Sequence, residues 1–311
     1  MDDLYDNLFD NQKRFGRKII DAFDDDTHSV LAFAHTQCGK TGSILAAIHL
    51  SKIPLDHIFI ITGLSSVDWL VQTKKRIPIH NIFHRNTIHH FINAISTLSH
   101  YLVFIDECHI AFKHGQTIRN VLPLFHSSAK TVYVSATPDM HFFKPNNVIR
   151  DGFSIRVMKD HHSYRSIQYF KDNLLLLQCK SLINSDALNN IKEIIPYLSS
   201  IPKFHIIRTS HTAAHEGTIH NFKISFPKSF RFISMPLDIV SLLSSPPSVH
   251  TFIFIKDTIR CAITIPKLFI GIVYDRFVWK PSKASVIQGL AGRCTGFHSI
   301  DIIIFSFPLL L

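Results

Sequence analysis

The chain has 311 residues, 46% of them hydrophobic, and a formal charge of +10. That is long enough for two domains with separate cores, and a basic surplus suits a phosphate-rich partner such as nucleic acid while saying nothing of fold. The excess is uneven: residues 1 to 150 hold 15 Lys or Arg against 13 Asp or Glu, and residues 151 to 311 hold 18 against 10. The five cysteines form no C-x-x-C pair, which argues against a disulfide framework or a zinc ribbon. The start, "MDDLYDNLFD", lacks the layout of a signal peptide. No apolar run reaches the roughly 18 residues that cross a bilayer. The expectation is an intracellular, cytoplasmic, soluble protein with no membrane partner.

In chain order, β-rich runs at Ser29 to Phe33, Ile58 to Thr62, Leu102 to Ile105 and Thr131 to Val134 alternate with helical patterns. Such alternation predicts an α/β domain on a buried, mostly parallel sheet. The segment "PDMHFFKPNNVIRDG", with two prolines, two asparagines and a glycine, reads as a linker. A second series follows at Phe204 to Arg208, Thr251 to Ile255, Phe269 to Tyr274 and Ile300 to Phe305, with a helix expected around Asp186 to Ile195. This predicts two α/β domains, residues 1–145 and 146–311.

Four stretches carry chemistry. The first, "AHTQCGKT", runs from Ala34 through His35, Thr36, Gln37, Cys38, Gly39 and Lys40 to Thr41 and lies between an expected strand and an expected helix. A phosphate loop needs that order: a tight turn presenting backbone N–H groups, a helix N-terminus, a lysine for the β and γ phosphates and a hydroxyl for Mg²⁺. In the second, "YLVFIDECHIA", Asp106 and Glu107 follow an apolar strand. Adjacent carboxylates there are costly to desolvate unless they hold a cation or a proton under transfer. One would hold Mg²⁺ through water and the other would orient the attacking water. The third, "TVYVSATP", sets Ser135, Ala136 and Thr137 after another strand. The fourth, "VIQGLAGRCTGF", offers Gln288 and Arg293, and an arginine delivered to a γ phosphate stabilises transition-state charge.

Taken with "NQKRF" and "TGLSSVDWLVQ", this ordered set resembles the superfamily 2 helicases and translocases, the DEAD/DEAH-like group in its D-E-C-H variant, and more closely those of large DNA viruses and phages. The resemblance spans nearly the whole chain. It implies two RecA-like P-loop domains with ATP in the cleft between them and nucleic acid across both. Lys40 and Thr41 would then hold the phosphates and Mg²⁺, Asp106 the Mg²⁺, and Glu107 the hydrolytic water. His109, Ser135 and Thr137 would couple hydrolysis to domain movement, Gln288 and Arg293 would complete the site, and Gln12 would contact adenine. Two departures stand out: one extra residue separates Gln288 from Gly292, and Gly296 stands where the family has a second arginine.

For a strand held mainly by its backbone, Thr62, Gly63, Arg208, Lys256 and Arg260 are the candidate contacts, each basic one weighed against an ordinary surface charge. Trp69 reads as core more readily than as a base-stacking residue. A metal reading of His211, His215 and His220 lacks a third clear ligand. The expected function is a DNA helicase or translocase driven by ATP and Mg²⁺, with RNA as the other polymer. The chain ends soon after the last motif, so unwinding is expected to need an accessory protein. The rivals are the motor subunit of a nuclease or restriction system and a non-catalytic nucleic-acid-binding protein with a degraded helicase fold. As a viral protein it would act in host cytoplasm or virion.

Overall fold

The computed structural model of the chain describes residues 1–23, 27–112, 116–137, 153–210, 212–256, 264–278 and 289–307. Two compact units divide it, Met1–His162 and Ser163–Leu311.

The first unit is built on strands β1 (Ser29–Phe33), β2 (Ile58–Thr62), β3 (Ile82–His84), β4 (Leu102–Asp106), β5 (Lys130–Ser135) and β6 (Phe153–Val157). They pair in parallel in the order β3-β2-β4-β5-β1-β6. Continuous apolar runs such as "IFIIT" form strands buried on both faces, and every residue of β2 is buried. Helix Asp10–Ile20 presents Gln12, Phe15, Gly16 and Ile19 as one buried stripe and packs on helix Lys40–Leu50. Phe59, Phe91, Tyr101 and Phe125 interlock by edge contacts in the core.

This unit extends past residue 145. β6 lies beside β1 in register Ser29↔Phe153 to Phe33↔Val157, so the chain beyond the expected linker still belongs to the first sheet. The linker stretch itself, residues 138–152, lies outside the described residues.

The second unit starts with β7 (Tyr164–Arg165) and β8 (Leu176–Gln178), then β9 (Phe204–Arg208), β10 (Arg231–Ser234), β11 (Thr251–Ile255), β12 (Ile270–Tyr274), β13 (Gly296–Phe297) and β14 (Ile303–Ser306). A parallel sheet runs β10-β11-β9-β12-β14-β8, and β7 with β13 makes a small antiparallel ribbon. The expected helix near Asp186 is Ala187–Lys192. Part of the phenylalanine excess is used here: Phe222 meets Phe252 at 5.0 Å and Phe254 at 5.2 Å between ring centres, a dense aromatic layer between sheet and helix Thr212–Ser225.

Candidate nucleotide site

The phosphate-loop stretch leaves β1 at Ala34, whose N–H donates to Ser135 O at 3.1 Å, so the loop starts beside the end of β5. Gln37 (φ 58°) and Gly39 (φ 104°) are both left-handed, and the backbone curls through them into the helix that begins at Lys40. Lys40 Nζ donates to His35 O at 3.4 Å. His35 Nδ1 lies 2.9 and 3.1 Å from the two carboxylate oxygens of Asp160, and this bond holds the imidazole above its usual pKa. Behind the loop Cys38 Sγ and Ser43 Oγ both meet Met158 Sδ, at 3.6 and 3.7 Å. Burial pushes the Cys38 thiol up to about 11, which keeps it inert. Thr36 is buried and Thr41 half-buried.

Gln12, expected to contact adenine, lies against the phosphate loop. Its Nε2 donates to Gly39 O at 3.3 Å and its Oε1 accepts from Phe9 N at 3.0 Å, so both ends of the amide are engaged with the protein. A Cβ at Gly39 or Gly42 would run into that side chain. The glutamine braces the phosphate loop.

Asp106 ends β4, two strands from β1 across β5. Its Oδ2 accepts from Trp69 Nε1 at 2.9 Å and its Oδ1 from Glu107 N at 3.0 Å. Burial first, and then the neighbouring Glu107 carboxylate, raise it to about 6 against the opposing pull of Trp69 and Lys40. Trp69 is therefore buried core, as expected, and also a ligand of the acidic pair, a role with no sequence signal. Glu107 is left-handed (φ 50°, ψ 46°) at the start of the turn Cys108–Ala111. A glutamate held there is strained, which is typical of functional sites. Its Oε2 has no hydrogen bond and lies 3.4 Å from His109 Nδ1.

Ser135, fully buried, joins the next piece to this one. Its Oγ lies 3.1 Å from His109 Nδ1 and accepts from Thr137 N at 3.0 Å. Thus the D-E-C-H and S-A-T stretches meet through one hydroxyl at the ends of neighbouring strands.

Other expected residues fare differently. Thr62 is fully buried, with Oγ1 accepting from Leu64 N at 3.3 Å, and Gly63 is buried with a Cβ position only 2.7 Å from Ala111 Cα. Arg208, half-buried, donates from Nη1 to Asp275 Oδ1 at 3.4 Å. Lys256 Nζ donates to Thr212 Oγ1 at 3.5 Å. Arg293 is 4% exposed, inside helix Leu290–Cys294, rather than projecting as a finger. Its charge helps lower Lys267, which burial brings down to about 8. Gln288, Arg260 and His211 lie outside the described residues. His215 uses both ring nitrogens, toward Thr209 Oγ1 at 2.6 Å and Ser234 Oγ at 2.7 Å, which removes it as a metal ligand. Among the described residues no group of three or more His, Cys, Asp or Glu is arranged to hold a metal ion, and no helix is long and apolar enough to cross a membrane.

No protein-family model matches the sequence. The chain is 26% identical to uncharacterized protein L594 of Acanthamoeba polyphaga mimivirus over 90% of this chain and 80% of that protein. Among solved structures it is similar to the Escherichia coli DEAH/RHA helicase HrpB, with a TM-score of 0.58, 14% identity and 94% of this chain covered. It spans 41% of that HrpB chain. Mss116p bound to ssRNA and AMP-PNP gives a TM-score of 0.59 at 15% identity, covering 97% of this chain and 70% of the other. Saccharomyces cerevisiae Dbp5 bound to RNA and ADP BeF3 gives 0.59 at 12% identity, covering 98% and 88%. Two parallel six-stranded sheets with flanking helices, matching these solved structures, give this chain the tandem RecA-like helicase fold.

Proposed function

We propose that the protein is a nucleic-acid-dependent ATPase, a helicase or translocase motor whose nucleotide site lies on the first unit. One observation carries this reading. The ends of three neighbouring strands, β4, β5 and β1, bear Asp106 with Glu107, Ser135, and the loop leading to Lys40, and His109 bonds across to Ser135. Phosphates on a curled loop at a helix N-terminus, with carboxylates two strands away at the same end of the sheet, are what phosphoryl transfer to water requires.

The acidic pair fits a divalent cation. Burial and the adjacent Glu107 carboxylate together raise Asp106 in spite of Lys40, and Glu107 Oε2 is buried without a hydrogen bond, an acceptor pair that a cation would satisfy. Thr41 and Asp106 would hold Mg²⁺, which when bound neutralises charge on the phosphate oxygens. Lys40, now on His35 O, would move to the phosphates, and Glu107 would orient the attacking water. His109 and Ser135 would report the state of Glu107 to Thr137. Gln12 would keep the loop in shape, and Arg293 with Gln288 would contribute to hydrolysis.

The strand acted on is nucleic acid. DNA is our first expectation, and the solved relatives described with a bound strand carry RNA. The test is ATP hydrolysis with and without single-stranded DNA, duplex DNA and RNA. Lys40→Ala should lower hydrolysis by about 10- to 100-fold, the worth of a charge-assisted bond of roughly 1.5–3 kcal/mol, and Glu107→Gln should abolish turnover while nucleotide still binds. A rate that no polymer stimulates sinks the motor, and a rate indifferent to Lys40→Ala sinks the site. Strand displacement on tailed duplexes separates helicase from translocase.

A further inference from the structure

The second unit has a cavity of its own, apart from the nucleotide site of the first unit. The connection leaving β9 runs to β10 on one side of the sheet, and that leaving β12 runs to β14 on the other, although β9 and β12 are neighbours. In open α/β sheets ligands bind outside the carboxyl ends at such a reversal. A cavity of about 650 Å³ opens at this point, lined by Arg208 at the end of β9, Ser210 just beyond it, and Arg276 and Phe277 after β12. This lies in the range of small-molecule sites, roughly 300–1,000 Å³.

The cavity is preformed. One wall is the loop that follows β8, and three consecutive residues of it are tied down. Tyr274 Oη accepts from Lys180 N at 2.6 Å and donates to Lys180 O at 2.9 Å. Asn190 Nδ2 donates to Ser181 O at 2.8 Å and Asn221 Nδ2 to Leu182 O at 3.0 Å. The opposite wall is helix Thr212–Ser225, through buried Ala214 and Thr218. Arg208 is held in place from behind by Asp275, itself 3% exposed. Burial outweighs the arginine and keeps that carboxyl above its ordinary value.

We propose that this cavity binds a small phosphate-bearing ligand of about mononucleotide size. Two guanidinium groups match the fork geometry of a phosphate, Ser181, Ser210 and Asn184 add polar partners, and Phe277 offers an aromatic surface to a flat ring. The second unit builds the site alone, so it does not rest on the motor reading.

The test is calorimetric titration of the full chain carrying Lys40→Ala, which weakens the phosphate loop of the first unit. The titrants are AMP, inorganic pyrophosphate, adenosine and a ten-residue oligothymidylate. The expected result is saturable binding of AMP and pyrophosphate, with adenosine much weaker. Adding Arg276→Ala should weaken AMP about tenfold or more, the worth of one charge-assisted bond. Arg276 is exposed, so this variant is expected to fold. Arg208→Gln should weaken AMP further, with circular dichroism showing whether the variant still folds. Absence of AMP and pyrophosphate binding, or an affinity unmoved by Arg276→Ala, overturns the proposal. Binding of the oligothymidylate alone, lost in Arg276→Ala, overturns it in favour of a strand-binding cleft.

Discussion

Replacing Gly16 with alanine tests whether the packing of helix Asp10–Ile20 is what sets the phosphate loop. Gly16 sits where that helix meets helix Lys40–Leu50, and an added Cβ would stand 2.5 Å from Ala46 Cβ and 2.8 Å from Ala47 N. Carbon atoms rest at about 3.5–4.0 Å, so the helices must part by about 1 Å. Two effects then compete. Alanine gains about 1 kcal/mol of helix propensity over glycine, while overpacking a tight contact costs about 1–3 kcal/mol. The net expectation is a loss of about 1 kcal/mol, which for a unit of this size lowers Tm by roughly 2–4 °C. The same displacement draws Gln12 away from Gly39 O. One ordinary hydrogen bond, about 0.5–1.5 kcal/mol, corresponds to a fall in nucleotide affinity of roughly 2- to 10-fold. Scanning calorimetry reads the first quantity and titration with a fluorescent ATP analogue the second. The sign decides: a Tm that rises, with affinity unchanged, means that propensity acts alone and the close approach does not constrain the loop.

Three further outcomes follow from the buried polar groups. Asp106, raised to about 6, favours the folded state only while protonated; that contribution is complete below about pH 3.8 and fades as pH rises through about 6. The ionised form is the one that holds a cation, so Mg²⁺-dependent nucleotide binding should strengthen from pH 5 to 7.5, and Asp106→Asn should flatten the profile. Ser135→Ala strips His109 Nδ1 and Thr137 N of a partner, costing about 1–3 kcal/mol of stability; stimulation by nucleic acid should fall more than the basal rate. His205, fully buried, is lowered to about 3, first by burial and then by His250. Its contribution is therefore present above pH 6.5 and lost as pH falls below it, and His205→Phe should reduce the acid sensitivity seen by urea denaturation at pH 5 against pH 7.5.

Strands with both faces buried were the most legible part of the fold. "SVLAF", "IFIIT" and "TFIFI" are apolar without interruption, and each lies within a residue of its expected bounds. The short or partly exposed strands were not visible: β3 has three residues, β8 three, and β10 is half solvated in the pattern exposed, intermediate, intermediate, exposed. Nothing in such sequences separates strand from loop, since the pairing that makes them strands comes from distant residues. β6 illustrates the cost. It follows a Pro- and Asn-rich stretch that reads as the end of a domain, yet it pairs with β1 more than a hundred positions earlier and carries the first unit on to His162.

The same division between near and far runs through the candidate site. Asp106, Glu107, Ser135 and the loop from Ala34 to Thr41 could be placed because a strand followed at once by a turn is a local pattern, and the parallel sheet then brings those turns to one edge. What each side chain does there is settled by partners that the local pattern does not contain. Trp69 lies 37 positions from the Asp106 carboxylate it donates to, Asp160 lies 125 from His35, and Asp275 lies 67 from Arg208. Each of these partners changes chemistry: Trp69 opposes the rise in Asp106, Asp160 holds the phosphate loop's imidazole above its usual pKa, and Asp275 fixes an arginine that otherwise reads as a surface cation. Gln12 follows the same rule, since its bond to Gly39 O spans 27 positions and comes from the packing of its helix rather than from any local pattern. Arg293 does too, because small residues around an arginine suggest a free loop, whereas here they let helix Leu290–Cys294 sink into the core and take the arginine with it. Arg293 is buried within its own unit and meets a phosphate only once uncovered, so nucleotide binding should increase hydrogen exchange at residues 290–294 if Arg293 serves the reaction, and leave it unchanged if the arginine is only part of the core.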